Sequence, residues 1–182
     1  MEARTSGSLV SRAIGAAMLD INVYEEVEAD RSATTQAATV VLAVAIANVI
    51  GSWGSGGLGM VGGVLGAFLG WFLWAGVTNI VGTRLLGGTA DWGELLRTLG
   101  FAQAPGVLAV LAIIPILGWF VGFGVAIWTL VAGVIAIRQA LDFGTGKAVI
   151  TALISMVIVI IASMAIGTVL GVGVGMGSAL AG

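Results

Sequence analysis

Five runs of apolar residues, at about 34–53, 58–83, 99–117, 119–137 and 148–170, are separated by short breaks that are either charged or rich in glycine. A helix needs about 20 predominantly apolar residues to cross the hydrocarbon of a bilayer. The pattern therefore predicts an all-α integral membrane protein with five transmembrane helices. Its clearest part is the hairpin from Leu96 to Lys147. Two apolar runs there meet at Pro115–Trp119, with Arg97 before the first run and Arg138 and Lys147 after the second. Two spans return a chain to the side it left, so a hairpin with all its charge at the open end reads as a membrane object.

Ahead of the first run the periodicity changes. Leu9, Val10, Ala13, Ile14, Ala17, Met18 and Ile21 follow one another at steps of one, three and four, the mark of one face of a helix. This predicts an N-terminal amphipathic helix in an arm, residues 1–33, distinct from a five-span domain, residues 34–182. Its apolar face has nothing to bury against in water. The arm is expected to rest in the headgroup layer or to dock on the polar segments 84–98 and 138–147, with Arg4 and Arg12 near anionic lipid. An acidic run follows, Tyr24–Asp30. Glu25, Glu26, Glu28 and Asp30 are expected to stay in water, facing Arg97, Arg138 or a partner's basic patch. Together with Tyr24 and Lys147 these residues form the candidate cytosolic partner surface. Further on, Asp91 and Glu94 have the spacing of a helix start.

Charge fixes an orientation for the five spans. The segments 1–33, 84–98 and 138–147 hold all seven basic and all nine acidic residues; the connections on the opposite side hold none. Cytoplasmic segments carry the excess of Lys and Arg, so the N-terminus is expected in the cytoplasm and the C-terminus outside. The first 31 residues contain no apolar core run, and the first span is expected to serve as its own insertion signal.

Composition narrows the chemistry. Of 182 residues, 59% are hydrophobic and 9% charged, too few charges to coat a soluble domain. There is no histidine and no cysteine. The commonest general base, the commonest metal ligand and all thiol chemistry are thereby removed. The remaining carboxylates Asp91, Glu94 and Asp142 have no nucleophile or metal cage near them in sequence, so neither an enzyme nor a cofactor is expected. No basic stripe marks a nucleic-acid partner. Gly54-Ser55-Gly56-Gly57-Leu58-Gly59 mimics a dinucleotide fingerprint but joins two membrane runs rather than a strand and a helix; it reads as a loop. Gly146-Lys147 lacks the rest of a phosphate loop.

Within the spans the informative residues are small or neutral. Gly62, Gly66 and Gly70, and again Gly167, Gly171 and Gly175, recur every four residues and mark candidate helix-packing rows, inside one subunit or between subunits of a homo-oligomer. Asn48, Asn79 and Gln103 make a candidate polar intramembrane site, and Pro105 breaks the early part of the third run. No ionisable side chain lies in the spans, which argues against proton pumps and ion-coupled transporters. Trp53, Trp92 and Trp119 sit where interface anchors belong; Trp71, Trp74 and Trp128 lie deeper and read as packing residues.

Three stretches, LRTLGFAQAPGVL (Leu96–Leu108), IPILGWF (Ile114–Phe120) and IRQALDFGTGKAV (Ile137–Val149), resemble the Yip domain family. The family comprises five-span membrane proteins named for interaction with Ypt/Rab GTPases. The run YEEVEAD resembles its prokaryotic members in particular. The resemblance implies a non-enzymatic protein of a prokaryotic plasma membrane. Eukaryotic members act in Golgi and endoplasmic-reticulum trafficking and bind Rab proteins through the N-terminal region. Their Asp-Leu-Tyr-Gly-Pro signature is replaced here by Asp20-Ile21-Asn22-Val23-Tyr24.

Two functions follow from the sequence. The leading one is a non-enzymatic protein that organises membrane or recruits protein or lipid partners; the other is a small-solute channel or transporter with its site near Asn48, Asn79 and Gln103. Topology is tested with an impermeant thiol reagent applied to intact cells. Ser55→Cys and Ser178→Cys should react and Ser8→Cys and Thr145→Cys should not; labelling of Thr145→Cys would overturn the five-span arrangement.

Overall fold

The computed structural model describes residues 7–52 and 56–180. Arg4, Trp53 and the first half of the Gly54–Gly57 loop lie outside the described residues. Seven α-helices follow in order: α1 (Leu9–Ala17), α2 (Ile21–Ala29), α3 (Ala33–Gly51), α4 (Gly56–Asn79), α5 (Trp92–Ala102), α6 (Pro115–Ala140) and α7 (Thr145–Leu180). A π-helical stretch, Ile80–Leu85, prolongs α4, and a 3₁₀ stretch, Ala104–Ile113, prolongs α5. Five segments are long and apolar enough to cross a membrane: Ala33–Gly51, Val61–Leu85, Trp92–Ile113, Ile116–Ala140 and Thr145–Thr168. The expected all-helical, five-span architecture is present.

Two boundaries differ from the apolar pattern. The third span begins at Trp92, not near Leu99, because Asp91 and Glu94 close a capping box. Asp91 Oδ1 accepts from the Glu94 N–H, and Glu94 Oε2 accepts from the Asp91 N–H, each at 2.7 Å. A cap determines where a helix starts even when its first turn is polar. Pro105 therefore stands near the middle of the span rather than in its first turns. Proline has no N–H to give to the α-helical ladder, and from Ala104 the chain runs on for 10 residues as a 3₁₀ helix, far beyond the usual three or four. Pro115, by contrast, is the first residue of α6. There its missing N–H costs nothing, and Ile114 before it is extended (φ −92°, ψ 110°), as a residue preceding proline prefers. At the other end, the glycine-rich tail is not a tail. α7 continues through it to Leu180.

α5 is the centre of the packing. Leu95 to Ala102 are buried without a break, with α3, α4 and α6 around them and α1 and α2 against the same helix. Close approach there depends on Gly100. A Cβ on it would lie 2.7 Å from Ala37 Cβ and 3.2 Å from the Trp71 ring. With that space free, the Trp71 indole N–H donates to the Leu96 carbonyl at 3.0 Å. The neighbouring helices present small faces to match: Ala33 and Ala37 on α3, Ala132 and Ala136 on α6, Ala148 and Ala152 on α7.

The arm is folded onto this bundle as two helices. Leu19 and Asp20 interrupt the apolar face because they form the turn between them: Leu19 adopts a left-handed conformation (φ 64°) and Asp20 caps α2 through the Asn22 N–H. A buried arginine then ties three helices together. Arg12, 2% exposed, gives Nη2 to Glu26 Oε1 and Asp30 Oδ2, each at 2.8 Å, and Nη1 to Gln36 Oε1 of α3 at 3.1 Å. Glu26 and Asp30 thus face a basic residue of their own arm, whereas Glu28 lies within reach of Arg97, as expected. Hydrogen bonds to charged groups contribute about 1.5–3 kcal/mol each. Arg12→Ala should free α1 from α2 and α3. Amide exchange over Leu9–Ala17 should accelerate about thirtyfold, the equivalent of about 2 kcal/mol, with the α5 amides unchanged.

Candidate functional site

One end of the bundle collects the charged side chains, and the loops there are bound to one another. Arg97, 5% exposed in the middle of α5, donates Nε to the Val27 and Glu28 carbonyls at 3.0 Å, and its Nη2 also bonds the Glu28 carbonyl. These are the terminal carbonyls of α2, which lack partners within their own helix. Gln139 donates to Glu25 (2.9 Å), Thr89 to Asp142 (2.8 Å) and Lys147 to the Leu86 carbonyl (3.0 Å). Lys147 also stands 5.3 Å over the Phe143 ring.

The candidate partner surface divides accordingly. Glu25 and Lys147 are exposed, and Glu28 and Arg138 are half-buried. Tyr24 and Arg97 are buried and do not belong to a surface; both are structural donors. The Tyr24 hydroxyl gives its proton to the Ala16 carbonyl at 3.0 Å. Glu26 and Asp30 are engaged by Arg12. The carboxyl of Glu26 is held below its usual range by the Gly7 N–H and then by Arg12; that of Asp30 is held there by Ser32 and then by Arg12. Glu28 goes the other way. Burial pushes its carboxyl up to about 7, and Glu94, Asp142 and Glu25 add repulsion that Arg97 only partly offsets.

The end of α1 reaches below this rim. Trp128 donates its indole N–H to the Ala17 carbonyl at 2.7 Å, and Trp128 precedes the end of α6 at Ala140 by a rise of about 18 Å. The structure thus assigns Trp128 a hydrogen bond to α1 where the sequence suggested packing alone. The one available signal was its polar indole nitrogen within an apolar run, since a buried indole seeks a partner.

Two of the three intramembrane amides meet. Asn48 of α3 and Gln103 at the head of the 3₁₀ stretch line a cavity of about 270 Å³, together with Val44, Gly106, Ala109, Val125, Ala126 and Thr129. Asn79 is not among them. It donates to the Ala90 carbonyl at 3.1 Å and secures the connection into α5.

Four glycines of the two rows make no close approach to another helix among the described residues. A Cβ at Gly62, Gly66, Gly70 or Gly167 would meet nothing within 4 Å. Gly171 and Gly175 continue along α7. Close approaches occur at other glycines. Gly63 faces Val49, Gly76 faces the Trp92 ring, Gly106 faces Val44 and Gly133 faces Trp74. Spacing identifies a row of small residues but cannot show which way the row faces.

The Yip1 domain model matches residues 20–167, from the cap of α2 to the last turns of the fifth span. No curated protein and no solved structure matches the chain.

Glu28 supplies a test of the charged end. It holds its proton more tightly in the folded protein than in the unfolded chain, where an ordinary carboxyl titrates near 4.5. Its contribution is therefore present below about pH 4.5 and is lost as the pH rises through about 7. Glu28→Gln should raise the Tm at pH 8 and leave it unchanged at pH 4. Equal Tm values for parent and variant at pH 8 would remove the carboxylate crowding.

Proposed function

This chain belongs to the Yip1 domain family, and on that premise we propose that it is a non-enzymatic integral membrane protein that organises the leaflet into which its N-terminal arm is set. The arm, residues 1–33, is the working part in this reading, and residues 34–182 anchor it. The observation that carries the proposal is the two-sidedness of α1. Its inner face holds Arg12, Ala13 and Ala16 against the protein, and Val10, Ile14 and Met18 are 64%, 54% and 74% exposed, with Val10 and Ile14 bordering the open furrow between α1 and α3. Ile21, at the head of α2, extends the exposed stripe. The Trp128 bond sets the C-terminal end of α1 below the charged rim, where hydrocarbon and headgroups meet. A stripe of large aliphatic side chains at that depth displaces lipid in one leaflet only, which favours curvature and loosened packing.

Partner recruitment belongs to the same end. Glu25, Glu28, Glu94 and Asp142 form an acidic surface next to the arm, suited to a basic patch on a cytosolic or membrane protein. The segregation of charge supports a cytoplasmic N-terminus. We assign a prokaryotic plasma membrane from the resemblance of the Tyr24–Asp30 run.

The test is reconstitution into liposomes containing anionic lipid. The parent should reduce vesicle diameter in proportion to its density in the membrane. Val10, Ile14 and Met18 changed together to Ser should abolish that effect, because each side chain loses about 1.5–3 kcal/mol of apolar burial. All three are exposed, so the fold and the five spans should be unaffected. Equal vesicle diameters with parent and variant would sink the proposal.

A further inference from the structure

Helices α3 and α6 are separated by the 3₁₀ stretch, and the crevice between them is chemically unlike two other cavities among the described residues. One of those, about 230 Å³, lies between α6 and α7; the other, about 380 Å³, lies beside α1, and aliphatic side chains dominate the lining of both. The crevice of about 270 Å³ instead receives Asn48 from α3 and Gln103 from the start of the 3₁₀ stretch, together with Thr129 of α6, which also borders the cavity between α6 and α7. Asn48 is about one turn from Gly51, at the uncharged end of α3; Thr129 lies about 21 Å along α6 from Pro115, near mid-span.

Its polar groups are incompletely used. Asn48 Nδ2 donates to the Val44 carbonyl at 3.0 Å, within its own helix. The side chains of Gln103 and Thr129 make no hydrogen bond to any described residue, and neither does the side-chain oxygen Oδ1 of Asn48. At this depth lipid offers no partner, and an unmatched amide or hydroxyl costs several kcal/mol in hydrocarbon. The backbone maintains the space. A 3₁₀ helix is narrower than an α-helix and rises about 2.0 Å per residue, so the stretch spans the outer half of the bundle while leaving room beside it. It is held against α3 at two glycines: a Cβ on Gly106 would lie 2.7 Å from Val44 Cγ1, and one on Gly51 would strike the Ala109 carbonyl.

We propose that this crevice is a binding site for a small uncharged molecule that both donates and accepts hydrogen bonds, a polyol or a primary amide. The crevice is well above the space that one water molecule needs, which admits a small ligand together with water. The absence of any ionisable lining residue excludes a charged ligand, whose desolvation nothing here would offset. Carboxamides and a hydroxyl supply both donors and acceptors, which matches a ligand that presents both. The site does not depend on the organising role of α1 and stands or falls separately.

The chain has no cysteine, so single thiols can be placed cleanly in protein reconstituted in nanodiscs. Thr129 lines the crevice, and Ile127, 49% exposed, lies on the outward face of the same helix; each is changed to Cys. A charged, water-borne thiosulfonate reacts only with a thiolate that water reaches. Thr129→Cys should therefore be modified at least about tenfold faster than Ile127→Cys. Glycerol and acetamide should each protect Thr129→Cys, and sucrose at the same osmolarity should not. Gln103→Leu should weaken that protection about fivefold, the worth of one hydrogen bond; Gln103→Asn, which keeps the amide, should retain part of it and controls for loss of fold. Equal rates at Thr129→Cys and Ile127→Cys would mean a furrow filled by lipid. Rapid modification that neither glycerol nor acetamide slows would mean water without a site. Either result overturns the proposal.

Discussion

A backbone carbonyl or N–H taken out of water must find its partner within the protein, and the shape of this chain follows from how each exposed helix end meets that demand. At the end of α1 the carbonyls of Ile14 and Gly15 accept from the Met18 and Asp20 amides, that of Ala16 from Leu19 and the Tyr24 hydroxyl, and that of Ala17 from Trp128. All four groups left open by the helix are thus satisfied without solvent. The end of α2 is closed by Arg97, and the carbonyl of Leu86, just beyond the π-helical end of the second span, by Lys147. The polar residues at the charged end therefore complete the bundle. They are less a free surface than the caps of helix ends packed against the bundle.

The same demand accounts for the two irregular stretches. After Pro105 the ladder cannot continue in α form at full strength, and the 3₁₀ pattern restores a partner to each following amide within the segment. The π-helical turn at the end of the second span gives the chain a wider radius as it leaves the bundle, and Thr83 returns its hydroxyl to the Asn79 carbonyl at 2.6 Å. Both deviations keep backbone groups satisfied in place of an open break. Both also displace side chains from the register of a straight helix, and Gln103 and Asn79 sit at the two departures.

The five spans and the gathering of charge at one end were legible in the sequence because both depend on hydropathy, which averages over many residues. The start of α5 was legible in its cap, Asp91 with Glu94, yet hydropathy alone set the boundary one turn or more too late. What could not be read was direction. Gly62, Gly66 and Gly70 show a spacing, but which side of α4 meets a neighbour is decided by side chains on other helices, such as Trp92 against Gly76. Tyr24 and Arg97 look like surface residues in a polar stretch; they are buried because Ala16 O, Val27 O and Glu28 O needed donors. Asn48 and Gln103 were recognisable as polar residues out of place. Their meeting with Thr129, and the parting from Asn79, depend on how far Pro105 stretches the third span.

Depth is what joins the two ends of the molecule. α1 adjoins the first half of the 3₁₀ stretch, since Leu9, Ala13 and Ala17 share a cavity with Ala104 and Val107. Gln103 and Gly106 line the crevice from within the same part of the chain. Trp128, bonded to α1, is the immediate neighbour of Thr129, which faces the crevice. The arm and the crevice are therefore neighbours, separated by about one turn of 3₁₀ helix on one side and by one residue of α6 on the other. Close packing at Gly106 and Gly51 holds that part of the chain against α3.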